Sequence, residues 1–156
     1  MKAVVYSIKT FEKEFLSRAN QKKHDITLIS NPLSTETAVY ARGKDAVIVN
    51  TDDDVSAAVI NLLADMGIKY IGTRSVSTDH IDRGAAGLRS IKVANVPQAD
   101  DNNTAPHPPH STSDALQAVA NQTIKNLDLW QQNKCVGKAC ACAKSCQVVT
   151  IAPPVI

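Results

Sequence analysis

Over the first 97 residues, short runs of β-branched apolar residues alternate with stretches whose apolar positions recur at helical spacing. Residues 3–8 make the first run, and Phe11, Phe15 and Ala19 then follow four apart. Residues 26–29 are a second run, stopped by Asn31 and Pro32. Residues 35–42 have room for two helical turns before Gly43. Ala46, Val47, Ile48 and Val49 sit inside the run 45–50, the unbroken apolar pattern of a strand covered on both faces. Val59, Leu62, Leu63 and Met66 fall on one helical stripe, and Gly67 supplies a C-terminal stop. Residues 69–72 and 92–96 give a fourth and a fifth strand, the last closed by Pro97. Strands alternating with helices through short connections predict a flavodoxin-like, doubly wound α/β fold. Its five-stranded sheet is parallel, flanked by helices and joined by right-handed crossovers.

After Pro97 the pattern changes. Residues 98–110 carry no large apolar side chain and three prolines, which reads as a linker. Ser111 and Asp114 then fit a capping box. Leu116, Val119, Ala120, Ile124, Leu127 and Trp130 follow at helical spacing. That amphipathic helix needs an apolar partner, and the preceding sheet is the candidate. The expected organisation is one domain over 1–130, built from segments 1–97 and 111–130. A Cys-rich, flexible tail over 131–156 follows.

A formal charge of +2 in 156 residues gives no field that argues for a nucleic-acid or membrane partner. No apolar run approaches the ~20 residues of a membrane helix. The N-terminus begins on a strand with no signal-peptide pattern, so the expected location is cytoplasmic. All four cysteines (Cys135, Cys140, Cys142 and Cys146) lie in the tail, unlike the dispersed cysteines of a disulfide scaffold. Four thiols beside lysines could bind Zn²⁺, yet their spacing lacks paired C-x2-C knuckles, and a reduced tail without metal stands as the other reading.

Residues 70–82 include Arg74, Ser75, Val76, Ser77, Asp79 and His80, and residues 92–97 end in Asn95, Val96 and Pro97. Together they resemble the hallmark region of the substrate-binding domain of the D-2-hydroxyacid dehydrogenase family, D-lactate dehydrogenases included. A second, shorter likeness joins Pro106 and His107 to Thr112, Asp114, Ala115 and Leu116, similar to the segment carrying the family's catalytic histidine. The resemblance implies that the amides of Val76 and Ser77 receive a substrate carboxylate, as successive amides in a tight turn do for anions. Ser77 departs from the family, where a glycine is usual, and this bears on the turn if φ is positive there. Asn50 falls near a position that lines the family's substrate site; it either donates a hydrogen bond there or is a plain strand-end residue. Arg74 is either a ligand contact or half of a buried ion pair. His107 is either the general acid/base or a solvated linker residue. His24, His80 and His110 read as ordinary surface or linker residues.

Family members insert a coenzyme domain between these two segments. Here Pro97 meets the second segment almost at once, and none of the six glycines forms G-x-G-x-x-G. The resemblance therefore implies NAD for the family and no cofactor for this chain. The expected function is the substrate-binding domain of an NAD-dependent D-2-hydroxyacid dehydrogenase, unable to transfer hydride alone. The expected partner is a small 2-keto or 2-hydroxy acid, and the expected state is a monomer or weak homo-oligomer. The alternatives are a stand-alone module that binds a small carboxylate or self-associates, and a metal-binding interaction protein working through the Cys tail. Asp52, Asp53 and Asp54 are expected to cap and complement the helix that follows them.

Overall fold

A computed structural model describes residues 1–96 and 112–134. Five strands, β1 (Lys2–Val5), β2 (Asp25–Leu28), β3 (Ala46–Val49), β4 (Tyr70–Thr73) and β5 (Lys92–Ala94), form one parallel sheet in the order β2-β1-β3-β4-β5. That order is the flavodoxin-like one, with its reversal between β1 and β3. The helices are α1 (Thr10–Asn20), α2 (Ala57–Asp65), α3 (Arg83–Leu88) and α4 (Thr112–Gln131), with a 3-10 turn over Ala38–Ala41. None of the described helices is long and apolar enough to cross a membrane.

Successive strand residues point to opposite faces, so each inner strand supplies two cores. Val4, Val47, Val49, Ile71 and Val93 pack with Val59, Ile60 and Leu63 of α2 and Ala86 of α3. Ala3, Val5, Ala46, Ile48 and Ala94 face the other way, against Leu16 of α1 and Ala120, Ile124, Leu127 and Trp130 of α4. The second face is built from small residues where α4 crosses it. A β-carbon added at Gly72 would lie 2.9 Å from Ile48 Cδ1 and 3.5 Å from Trp130 Cη2. The missing side chain makes the room in which the Trp130 ring lies, stacked on Tyr70 with centroids 5.0 Å apart. The helical stripe read from residue 116 onward is thus the stripe that covers the sheet.

One element differs from the sequence reading. The helix expected over 35–42 shrinks to the 3-10 turn, because local side-chain bonds compete for its backbone. Thr37 Oγ1 donates to Pro32 O (2.7 Å) and accepts from Ser34 N (2.8 Å). The segment containing Gly84 and Gly87 is helical, its start capped by Asp82 Oδ1, which accepts from Ala85 N at 2.9 Å. His24, expected at the surface, is buried. Its Nε2 lies 2.7 Å from Asp128 Oδ1 on α4, and Asn20 brackets its backbone with two hydrogen bonds. The linker over 98–110, the capping box at Ser111 and Asp114, and the tail cysteines lie outside the residues or side chains described.

Trp130 is the largest fully buried side chain. Trp130→Ala should lower stability by about 3–5 kcal/mol, the usual cost of emptying an aromatic core site. Urea unfolding followed by far-UV circular dichroism measures it, and a loss below about 1 kcal/mol would show that α4 contributes little to the fold.

Candidate functional site

In a parallel sheet every strand delivers its following loop to the same edge, so the loops after β1, β2, β3 and β4 meet at the carboxyl end. Asp53 sits among them with 3% of its surface exposed. Its Oδ1 accepts from Ser7 Oγ (2.6 Å) and Leu33 N (2.8 Å), and its Oδ2 accepts from Asn50 N (2.7 Å). One carboxylate therefore ties together the loops after three strands. This corrects the sequence expectation of a helix cap at this aspartate: the N-cap of α2 is Ser56, and only the exposed Asp54 reaches toward it, accepting from Ser56 N at 3.0 Å.

Arg74 follows β4 and is also buried, its guanidinium directed across the sheet edge toward β1. Nη2 donates to Tyr6 O (3.0 Å) and Ser7 O (3.1 Å), and Nη1 to Glu12 Oε2 (3.2 Å). Burial pulls this guanidinium below its ordinary pKa, with Glu12 and then Asp53 acting the other way. The two carbonyls and the ion pair are the buried-pair arrangement that the sequence left open beside ligand contact. Arg74 also borders a cavity of about 20 Å³ between α1 and α4, space for a water rather than for an organic acid. Ser7 is held between Asp53 and Arg74 in a left-handed conformation (φ 53°), an unfavourable one for serine that these bonds fix. Burial foremost, then the Asp53 charge, also raises the Tyr6 phenol above its ordinary range; its hydroxyl donates to Thr37 O at 2.8 Å.

The turn after Arg74 is organised by its carbonyls. Ser75 O accepts from Val96 N (3.1 Å), Val76 O from Asn95 Nδ2 (2.7 Å) and Ser77 O from Ser75 Oγ (2.8 Å). A trans peptide points its N–H away from its C=O. Three carbonyls tied to protein donors thus leave the amides of Val76, Ser77 and Thr78 pointing the other way, and none of the three donates to a protein group among the described residues. Val76 and Ser77 are exposed. The glycine usual in the family at position 77 is not needed here, because Ser77 is not among the positive-φ residues; its hydroxyl accepts from Asp79 N at 3.1 Å.

Asn50 follows β3, the strand that pairs with β4. Its Oδ1 accepts from Thr51 N (2.9 Å), and among the described residues its Nδ2 donates to nothing. His80, expected at the surface, is half-buried behind the turn with Nε2 3.3 Å from Thr73 Oγ1. Burial lowers its pKa from the ordinary value, with Asp53 and Asp79 opposing. His107, Cys135, Cys140, Cys142 and Cys146 lie outside the described residues. Among those described, no group of three or more His, Cys, Asp or Glu side chains could hold a metal.

Residues 3–140 match the family model described as D-isomer specific 2-hydroxyacid dehydrogenase, catalytic domain. The chain belongs to this family. It is 33% identical over 108 residues to D-lactate dehydrogenase of Escherichia coli, covering 69% of this chain and 33% of that protein. The apo structure of the Escherichia coli enzyme superposes with a TM-score of 0.62 at 34% identity, over 64% of this chain and 32% of the other. D-lactate dehydrogenase of Lactobacillus jensenii with NAD+ gives a TM-score of 0.53 at 34% identity, over 62% of this chain and 30% of that one. The first matching relatives are covered over only 30%, 33% and 40% of their length. The family likeness was legible in the turn after β4. The roles of Ser7 and Asp53 were not, since nothing local separates Asp53 from its two neighbours.

Asp53→Ala leaves one hydroxyl and two amides without their charged acceptor and should cost about 3 kcal/mol or more. Asp52→Ala, at an exposed neighbour, should stay within about 0.5 kcal/mol. Equal losses in denaturant unfolding would remove Asp53 from its place at the centre of the edge. For His80, a depressed folded pKa means stability that is present above the unfolded value near 6.5 and lost as pH falls through the folded value. Its Cε1–H resonance should titrate with a midpoint below 6.5, and a midpoint above it would contradict the burial argument.

Proposed function

We propose that this chain is the substrate-binding half of a D-2-hydroxyacid dehydrogenase and holds the carboxylate of a small 2-keto or 2-hydroxy acid on the outward amides of Val76 and Ser77. The observation that carries the reading is the set of three inward-tied carbonyls at 75–77, which leaves donors facing solvent beside the sheet edge. Preorganised amides suit an anion because no reorientation is needed when it arrives. Asn50 Nδ2, on the loop after the neighbouring strand, is the donor for a second oxygen of the acid. Arg74 acts on this site from behind by fixing the β1 loop, and through it Asp53. His107 keeps the family role of proton donor to the substrate carbonyl, a role that needs a hydride source in the same complex.

The residues described do not fit a dinucleotide. A phosphate cradle needs a glycine-rich turn between a strand and a helix N-terminus at the carboxyl edge. The two glycines with positive φ, Gly43 and Gly67, precede β3 and β4 at the opposite edge, Gly72 lies within β4, and Gly84 and Gly87 lie inside α3. The reading is therefore of one domain over 1–130 without the coenzyme-binding half between its two segments, and no hydride step is assigned to it.

Two measurements on the full chain test this. Titration with pyruvate or D-lactate should shift the amide resonances of Val76 and Ser77 while those of α2 stay fixed. No shift at saturating pyruvate would sink the assignment. With NADH and pyruvate together the chain should give no turnover above background, and clear turnover would show that a dinucleotide site exists elsewhere in it.

A further inference from the structure

The free amides depend on what holds the carbonyls of the same peptides, and two of those three holders are side chains, Asn95 and Ser75, with the backbone of Val96 as the third. Resting on the carboxylate reading above, we infer that Asn95, together with a chain of donors running from His80 through Thr73 to Ser75, consists of positioning residues for the anion turn. We further infer that they add a third donor, the amide of Thr78, to those of Val76 and Ser77.

Counting protons fixes the direction of the chain. Ser75 Oγ lies 2.8 Å from Ser77 O, and a carbonyl can only accept, so the Ser75 proton is used there. Ser75 Oγ lies 2.6 Å from Thr73 Oγ1, so Thr73 must donate across that contact. The Thr73 proton is then used as well, and the 3.3 Å contact with His80 Nε2 is a bond only if Nε2 carries the proton. The result is one directed sequence, His80 Nε2–H to Thr73 Oγ1–H to Ser75 Oγ–H to Ser77 O. Each bond in such a sequence polarises the next. Its last acceptor is the carbonyl of the peptide whose N–H belongs to Thr78. Drawing that carbonyl inward turns the Thr78 amide outward and strengthens it as a donor.

Asn95 does the same for the preceding peptide. Its Nδ2 donates to Val76 O at 2.7 Å, and the amide of that peptide is the one on Ser77. Asn95 is itself set by α4, because the buried Asn126 donates through Nδ2 to Asn95 O at 3.1 Å. The segment after residue 111 therefore reaches the turn through one side chain. The Thr73–Ser75 and Thr73–His80 contacts are part-buried, where water competes less, whereas the bonds to Val76 O and Ser77 O lie at the exposed surface of the turn.

The test uses the full chain labelled with ¹³C and ¹⁵N. Without ligand, Asn95→Ala should move the Val76 carbonyl resonance upfield, and Ser75→Ala should do the same at Ser77, as each carbonyl loses its donor. Each variant should weaken pyruvate binding by about tenfold, the scale of one charge-assisted amide contact. Ser75→Thr keeps the hydroxyl and should restore both the Ser77 carbonyl shift and the affinity, which a merely structural role for Ser75 would not require. Should Ser75→Ala not fold, His80→Ala removes the first donor from a half-exposed position and should give a smaller upfield shift at Ser77. Folded variants with unmoved carbonyl resonances, or with moved resonances and unchanged affinity, would overturn the inference. Absence of pyruvate binding by the unmodified chain is a different failure: it overturns the carboxylate reading itself, and the positioning role with it.

Discussion

Asp53 is a carboxylate almost sealed from water, and the loops of the carboxyl edge are arranged around it. A buried charge is tolerated only when its lone pairs are occupied, and here the occupants come from the loops after β1, β2 and β3. Ser7 is the most constrained of these. It holds a left-handed backbone, donates its hydroxyl to Asp53 and offers its carbonyl to Arg74. Arg74 brings in the loop after β4 and, through Glu12, the first turn of α1. One anion and one cation thus link the loops after the first four strands and the helix over the first. These ionic hydrogen bonds act beside apolar packing from the same loops, where Leu33, Val55 and Ile81 are buried in the core.

The anion turn follows the same logic one layer further out. Inward-facing carbonyls find donors in Val96, Asn95 and Ser75, and the amides are what remains to face solvent. Binding capacity of this kind arises from satisfying the carbonyl half of each peptide within the protein, and the direction of the free amide half follows from peptide planarity. The two side chains that the family resemblance brought forward most directly, Arg74 and Asn50, are thereby set apart. The first engages both terminal nitrogens with protein partners and leaves only its buried Nε unpaired, while the second keeps a free donor in Nδ2, both among the described residues.

Below this edge lies a sheet with two unequal faces. Large β-branched residues meet α2 and α3 on one side, whereas alanines and Gly72 make way for α4 and Trp130 on the other. Because α4 comes from the far side of the 98–110 segment, the sheet is complete on that face only once the second segment has docked. The His24–Asp128 contact and the Asn126–Asn95 bond both fasten the C-terminal half of the helix.

The strands, the helices read at 59–66 and 116–130 and the stop at Gly67 were legible in the sequence, since most of their apolar positions record burial through a period of two or 3.6 residues. Leu62 of α2 and Leu28 of the edge strand β2 are exposed exceptions. The Arg74–Ser77 turn was legible as a family signature. Partner choice was not. Asp52, Asp53 and Asp54 are equivalent on paper, and only the arrival of Ser7 and Leu33, 46 and 20 residues away, singles out the middle one. His24 and His80 looked alike as solvated imidazoles, yet one is covered by a helix over 100 residues later and the other is drawn behind a turn by Thr73. Local periodicity determines which face of an element is buried. Which polar group meets which across the fold is decided by the register of the strands and the closing of the loops, where desolvation makes every unpaired donor or acceptor costly.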